Sequence, residues 1–187
     1  MSEKFRKTAP KYMKLFIADF SVGLLDASAS FGNFGHESNG FENLQEIGKV
    51  PPKGGYGWPQ WTGSRRVDYF AYCERNGYDP ASDDSNYKYI FVELKYTWEK
   101  KAIPALLEES DLYAKTRRFC NEYERPGVKA YESRYTWADR AYEYYMETYG
   151  EEVGPPELGY PDPETEPKKA IMFANELIAR AIPYLKE

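Results

Sequence analysis

Carboxylic acids, amides and a run of aromatics fall within one stretch, residues 34–62, reading FGHESNGFENLQEIGKVPPKGGYGWPQWT. Glu37 stands where an apolar, helix-patterned run gives way to Asn39 and Gly40, and Glu46 follows nine residues later. The stretch closes on a glycine-rich turn, Gly54-Gly55-Tyr56-Gly57, and then Trp58, Pro59, Gln60, Trp61 and Thr62. An acid at a helix end facing such a turn suits the cleavage of a glycosidic bond. One carboxyl must hold its proton near the working pH, which calls for a place partly out of water. Phe34, Phe41 and the Trp58/Trp61 pair are close enough in sequence to wall such an acid. Amides and aromatic rings must grip the sugar.

On this reading Glu37 is the catalytic acid and Ser38 orients its carboxyl. Gln60 both donates to and accepts from sugar groups, although an amide in a loop also serves as a brace. Tyr56 and Trp61 stack on sugar or close the core. Retaining glycosidases hold two carboxyls about 5–5.5 Å apart and inverting ones further. Glu46 is the first candidate for the second carboxylate and Glu42 the next; each also reads as a surface residue. If neither serves, attack by a hydroxyl of the sugar itself needs one acid/base alone. His36, the only histidine, adjoins Glu37, but consecutive helix positions do not share a face, so a structural hydrogen bond is expected of it. Further on, Asn121-Glu122-Tyr123-Glu124-Arg125-Pro126-Gly127 ends a helix in a charged knot. There Arg125 is expected to pair with a carboxylate, and Tyr123 to aim its hydroxyl at the cleft or serve the scaffold.

The positioning elements read as mainly α, with a long active-site loop or small β-hairpin. Thr8 as a cap and Pro10 in the first turn predict a helix carrying Tyr12, Leu15, Phe16 and Phe20 inward. The next helix, from Leu24 to about Glu37, is rich in small residues (Ala27, Ser28, Ala29, Ser30, Gly32), so another backbone can come close to it. Ser64 is expected to start a helix ending at Gly77, with Val67, Phe70, Ala71 and Cys73 inward. Helices from Asp83 or Asp84, from Ser110 or Asp111, and over 129–149 follow. Residues 1–150 form the expected catalytic domain. Residues 151–187, a proline- and glutamate-rich segment and an amphipathic helix, are expected to pack on it or dock elsewhere.

The chain has 187 residues, a net charge of −5 and 18 tyrosines. No Lys/Arg run exceeds two residues, which argues against a nucleic-acid partner. One histidine, and two cysteines without metal spacing, predict neither a metal site nor a cofactor, and Cys73 and Cys120 read as buried free thiols, with a single disulfide as the alternative. No stretch approaches the roughly 20 apolar residues that span a bilayer, so no membrane insertion is expected.

Four pieces together resemble the phage tail lysozyme family, within the lysozymes and lytic transglycosylases. They are GHES at 35–38, GGYGWPQWTGSRR at 54–66, EL at 93–94 and NEYERPG at 121–127. Trp58-Pro59 replaces the small apolar pair usual in that turn, and Asn86-Tyr87 stands where the family often has a glutamine. The resemblance covers about Ser21 to Tyr149. It implies a lysozyme-like helical fold and bacterial peptidoglycan as substrate, cut at the β-1,4 bond between N-acetylmuramic acid and N-acetylglucosamine. It implies Glu37 as acid, Gln60 in the sugar cleft and, by a looser comparison, Glu46 as second acid. A muramyl 6-hydroxyl attack would instead make a lytic transglycosylase. The expected setting is phage: a lysis enzyme made in the host cytoplasm and acting at the wall, or a tail or virion component. A glycan-binding or tail protein without activity is the rival from another class.

Overall fold

The computed structural model describes residues 2–150, all within one compact unit, Met1–Glu151. The expectations for 151–187 lie outside the described residues. Seven α-helices follow in order: α1 (Glu3–Phe20), α2 (Leu24–Glu37), α3 (Gly63–Asn76), α4 (Asp83–Tyr96), α5 (Ala102–Leu107), α6 (Leu112–Phe119) and α7 (Tyr131–Tyr149). A 3₁₀ turn, Trp98–Lys101, leads into α5, and a π turn, Cys120–Glu124, ends α6. The fold is mainly helical. Its extended structure among the described residues is two isolated antiparallel bridges, Gln45 with Tyr56 and Tyr56 with Trp61.

The centre is α2, packed most extensively on α7 and also on α6 and α1. Its small residues permit this. A Cβ at Gly32 would lie 2.6 Å from the Ala138 Cα, so the two backbones meet where only glycine fits. On the other side Phe31 and Phe34 join Phe16, Phe41, Trp58 and Phe119 in an edge-to-face aromatic core.

Three boundaries differ from the sequence expectation. The first helix is capped by Ser2, whose Oγ accepts from the Phe5 N–H at 3.1 Å, not by Thr8. Pro10 therefore sits inside the helix, where buried Phe5, Ala9, Met13 and Phe16 hold both sides of the lost hydrogen bond. Thr62 occupies the cap position of α3, and that helix turns Arg66, Tyr69 and Cys73 inward while Val67 is 66% exposed. Ser82, not Asp83 or Asp84, caps α4 through the Ser85 N–H. Gly77 ends α3 in the left-handed conformation, as expected. Cys73 and Cys120 are buried and unbridged. No helix among the described residues is long and apolar enough to cross a membrane.

Candidate active site

A cleft of about 260 Å³ opens between the end of α2 and the loop that follows it. Glu37, Glu46 and Gln60 line it with His36, Asn43 and Gln45. Glu37 is the last residue of α2, with its side chain 18% exposed. The helix stops there because Ser38 closes it. The Ser38 hydroxyl donates to the Phe34 carbonyl at 2.7 Å and accepts from the Phe41 N–H at 3.0 Å. Both bonds go to backbone, so Ser38 shapes the turn and leaves the Glu37 carboxyl to another partner.

That partner is Arg134 of α7, 1% exposed. Its Nη2 donates to Glu37 Oε1 at 2.5 Å, Nη1 to Asn33 Oδ1 at 3.0 Å and Nε to the Lys129 carbonyl at 2.8 Å. Asn33 is one turn before Glu37 on α2 and is itself fixed by donating to the Ala29 and Thr116 carbonyls. The guanidinium is thus pinned at two sites and presents its third edge to Glu37. Charge-assisted pairs of this kind are the strong hydrogen bonds of proteins. The expected apolar wall is elsewhere: Phe34, Phe41, Trp58 and Trp61 are at most 1% exposed and form core. His36 Nδ1 lies 2.8 Å from Ser133 Oγ, the structural bond expected of it. Burial, then the Arg134 charge, lower its proton affinity against the opposing pull of Glu37.

The opposite wall is a loop folded on itself. Gln60, with φ +50°, donates from Nε2 to the carbonyls of Asn43, Leu44 and Gly57 at 3.1, 3.0 and 2.9 Å. Its amide nitrogen is a brace, and its carbonyl oxygen remains as an acceptor. Glu46 bonds Gly55 twice: its backbone N–H donates to the Gly55 carbonyl at 2.9 Å, and its Oε2 accepts from the Gly55 N–H at 2.7 Å. One carboxyl edge of Glu46 is therefore held by the loop.

Tyr56, Trp61 and Tyr123 do not line this cleft. The Tyr56 ring packs on Phe70 at 4.9 Å, under the Arg66 guanidinium. Trp61 and Tyr123 are fully buried and meet at Glu93 of α4, where the Trp61 indole N–H donates at 2.7 Å and the Tyr123 hydroxyl at 2.5 Å. Arg65 completes the group with Nε and Nη2 on the two Glu93 oxygens at 2.8 and 2.9 Å, and Nη1 on the Tyr123 carbonyl at 3.2 Å. Of the two roles open to the Tyr123 hydroxyl, cleft or scaffold, the structure shows the second: it secures a buried carboxylate. Burial, reinforced by Glu93, raises its proton affinity well above that of an ordinary tyrosine. Arg125 pairs with Glu99 through both terminal nitrogens, at 2.7 and 2.8 Å.

Three of the four motif pieces, those carrying Trp61 and Arg65, Glu93, and Tyr123, thus converge on one buried carboxylate, and the fourth carries Glu37. A family model described as phage tail lysozyme matches residues 7–145. The chain belongs to the phage tail lysozyme family. No curated protein and no solved structure matches it. The family's span runs from α1 through most of α7 and so includes both Glu37 and Arg134.

Arg134 escaped the sequence reading because 97 positions separate it from Glu37 and it lies in an unremarkable helical run, YESRYTW. Glu93 stood within a quoted motif, yet nothing in its neighbours announced a buried ion pair. Among the described residues, no group of three or more His, Cys, Asp or Glu side chains is placed to hold a metal ion. A larger groove of about 980 Å³ lies between residues 51–54 and α3, floored by Val67 and Phe70. It shares no lining residue with the Glu37 cleft.

Proposed function

We propose that this chain is a muramidase that cleaves the β-1,4 bond between N-acetylmuramic acid and N-acetylglucosamine in bacterial peptidoglycan. The observation that carries the reading is the meeting of Glu37, Glu46 and Gln60 on one cleft. Glu37, at the rigid end of a buried helix, protonates the glycosidic oxygen. Glu46, across the cleft, activates water. The Gln60 carbonyl accepts from an N-acetyl N–H or ring hydroxyl, while its amide nitrogen keeps the loop in shape. Trp61 and Tyr123 act at a distance, by anchoring that loop to α4 and the π turn. The family description, phage tail lysozyme, supports a phage setting for this reading, in which the chain acts as a lysis enzyme or as a virion component that opens the wall.

One observation favours a second reading, a lytic transglycosylase. Glu46 Oε2 is already engaged by the Gly55 N–H. If that bond persists with substrate, attack by the muramyl 6-hydroxyl dispenses with a second carboxylate and yields 1,6-anhydro products. Mass spectrometry of purified peptidoglycan digested by the wild type and by Glu37→Gln separates the readings. Hydrated muropeptides from the wild type alone support the muramidase, and anhydro products support the transglycosylase. No products, where a control lysozyme works, would sink both and leave a glycan-binding or tail-structural role.

A further inference from the structure

The end of α4 and the 3₁₀ turn after it, residues 95–101, read KYTWEKK. Tyr96 is 75% and Trp98 76% exposed, the two most exposed aromatic side chains among the described residues. None of the seven lines the Glu37 cleft. The side chains of this run alternate between inside and outside. The Thr97 hydroxyl donates to the Glu93 carbonyl at 2.8 Å and accepts from the Glu99 N–H at 3.2 Å. Glu99, 7% exposed, turns inward to both terminal nitrogens of Arg125. Thr97 has extended backbone (φ −110°, ψ −174°), and residues flanking an extended one share a side. Tyr96 and Trp98 are thus left outside together, followed by exposed Lys100.

Cations flank both rings. The Lys101 ammonium lies 5.4 Å from the Trp98 ring centre and 3.3 Å from Glu122 of the π turn. The Lys95 ammonium lies 5.7 Å from the ring of Phe91, which packs on Tyr96 at 6.2 Å. The single acid of the run is therefore the residue withdrawn from its surface, and the exposed side chains are aromatic or cationic. That composition discriminates between partners. A neutral glycan needs carboxylates or amides to take its hydroxyls, and the outer side of this turn offers neither. A soluble polyanion engages lysines but leaves apolar rings in water. A bilayer surface takes both, because Trp and Tyr sit at headgroup level and Lys is drawn to anionic headgroups.

We propose that this turn is a peripheral docking face for an anionic phospholipid membrane. Tyr96 and Trp98 enter the headgroup layer, and Lys95, Lys100 and Lys101 meet its phosphates. The chain rests on the surface and does not cross it. The face lies apart from the cleft and its lining, so the inference stands independently of the glycosidase reading.

The test is co-sedimentation and tryptophan fluorescence of the full chain with two kinds of vesicle, phosphatidylcholine alone and phosphatidylcholine mixed with phosphatidylglycerol. Of the four tryptophans, Trp58, Trp61 and Trp137 are at most 9% exposed, so a blue shift on binding reports Trp98. The mixed vesicles should bind the chain and shift its emission to the blue, the phosphatidylcholine vesicles much less, and added salt should weaken the binding. Trp98→Ala and Lys100→Glu, both at exposed positions, should each weaken it roughly tenfold. Failure to bind the mixed vesicles overturns the proposal, as does binding that both variants leave unchanged. Binding of polyphosphate or single-stranded DNA as tight as that of the mixed vesicles also overturns it, and would assign the face to a soluble polyanion. Peptidoglycan enters none of these measurements, so a chain inactive on it leaves the membrane result intact.

Discussion

Two glutamates with oxygens shut away from solvent, Glu93 and Glu124, lie within each other's field and are treated in opposite ways. Glu93 receives an indole N–H, a phenol O–H and two N–H bonds from one edge of a guanidinium. Glu124 has an oxygen that is shut in and receives nothing among the described residues. A satisfied buried network rigidifies the structure around it, whereas an unsatisfied one leaves a group whose protonation responds to its neighbours. The first joins the cleft loop to α3, α4 and the π turn. The second feels the charge of Glu37, the residue expected to do the chemistry. Scaffold and proposed reactive site are thus built from the same residue types, and hydrogen-bond completeness separates them.

Breaking the reactive side should show first in rate. Glu37→Gln is expected to lower kcat by about 10²–10⁴ while costing less stability than Glu93→Ala, because the new amide oxygen at position 37 still accepts from Arg134. Muropeptide release and thermal denaturation check the two halves, and a large loss of stability would move Glu37 to the scaffold side.

Breaking the scaffold side should show in stability instead. Glu93→Ala strands the Trp61 N–H and the Tyr123 hydroxyl in a dry interior and leaves the half-buried Arg65 guanidinium without its carboxylate, and should cost about 3 kcal/mol in urea unfolding. A cost below ~1 kcal/mol would mean the network is no anchor. Gly32→Ala probes the helix contact beneath Glu37 and Arg134. Its new Cβ meets the α7 backbone at 2.6 Å, and overpacking of this kind costs typically about 1–3 kcal/mol. Turnover should fall with it, because α2 and α7 carry the two halves of the Glu37–Arg134 pair.

The smallest effect sharpens the contrast through pH. Glu124 binds its proton more tightly folded than unfolded, so the unfolded chain ionises first as pH rises past the ordinary value of 4.5. Wild-type stability should therefore decline above that pH until the folded group also ionises. Glu124→Gln should flatten the decline, so its melting temperature relative to wild type should rise with pH. A constant difference would place the Glu124 carboxyl in water.

Local chemistry made much of this legible in advance. Gly77 as a helix stop, the small-residue face of α2 and the helix end at Glu37 depend on neighbours within a few positions, where propensity and spacing act. The cleft wall from Asn43 to Gln60 belongs to the same continuous loop, so Glu46 and Gln60 had little freedom to be elsewhere. The readings that changed concern direction. Ser38 turned its hydroxyl to backbone, Tyr123 turned its own to Glu93, and Trp58 and Trp61 went into the core. A side chain's type says what it can bond, but its partner depends on which helix arrives opposite.

By itself, the sequence determined a helical protein with an acid at a helix terminus and a glycine-rich, amide-bearing loop facing it, because helix ends, turns and apolar periodicity are local properties. Only the tertiary structure decided that Arg134 meets Glu37, that Glu93 gathers three motifs and that Glu124 is enclosed. Those outcomes join residues up to 97 positions apart, and burial and ion pairing act only once the helices have packed.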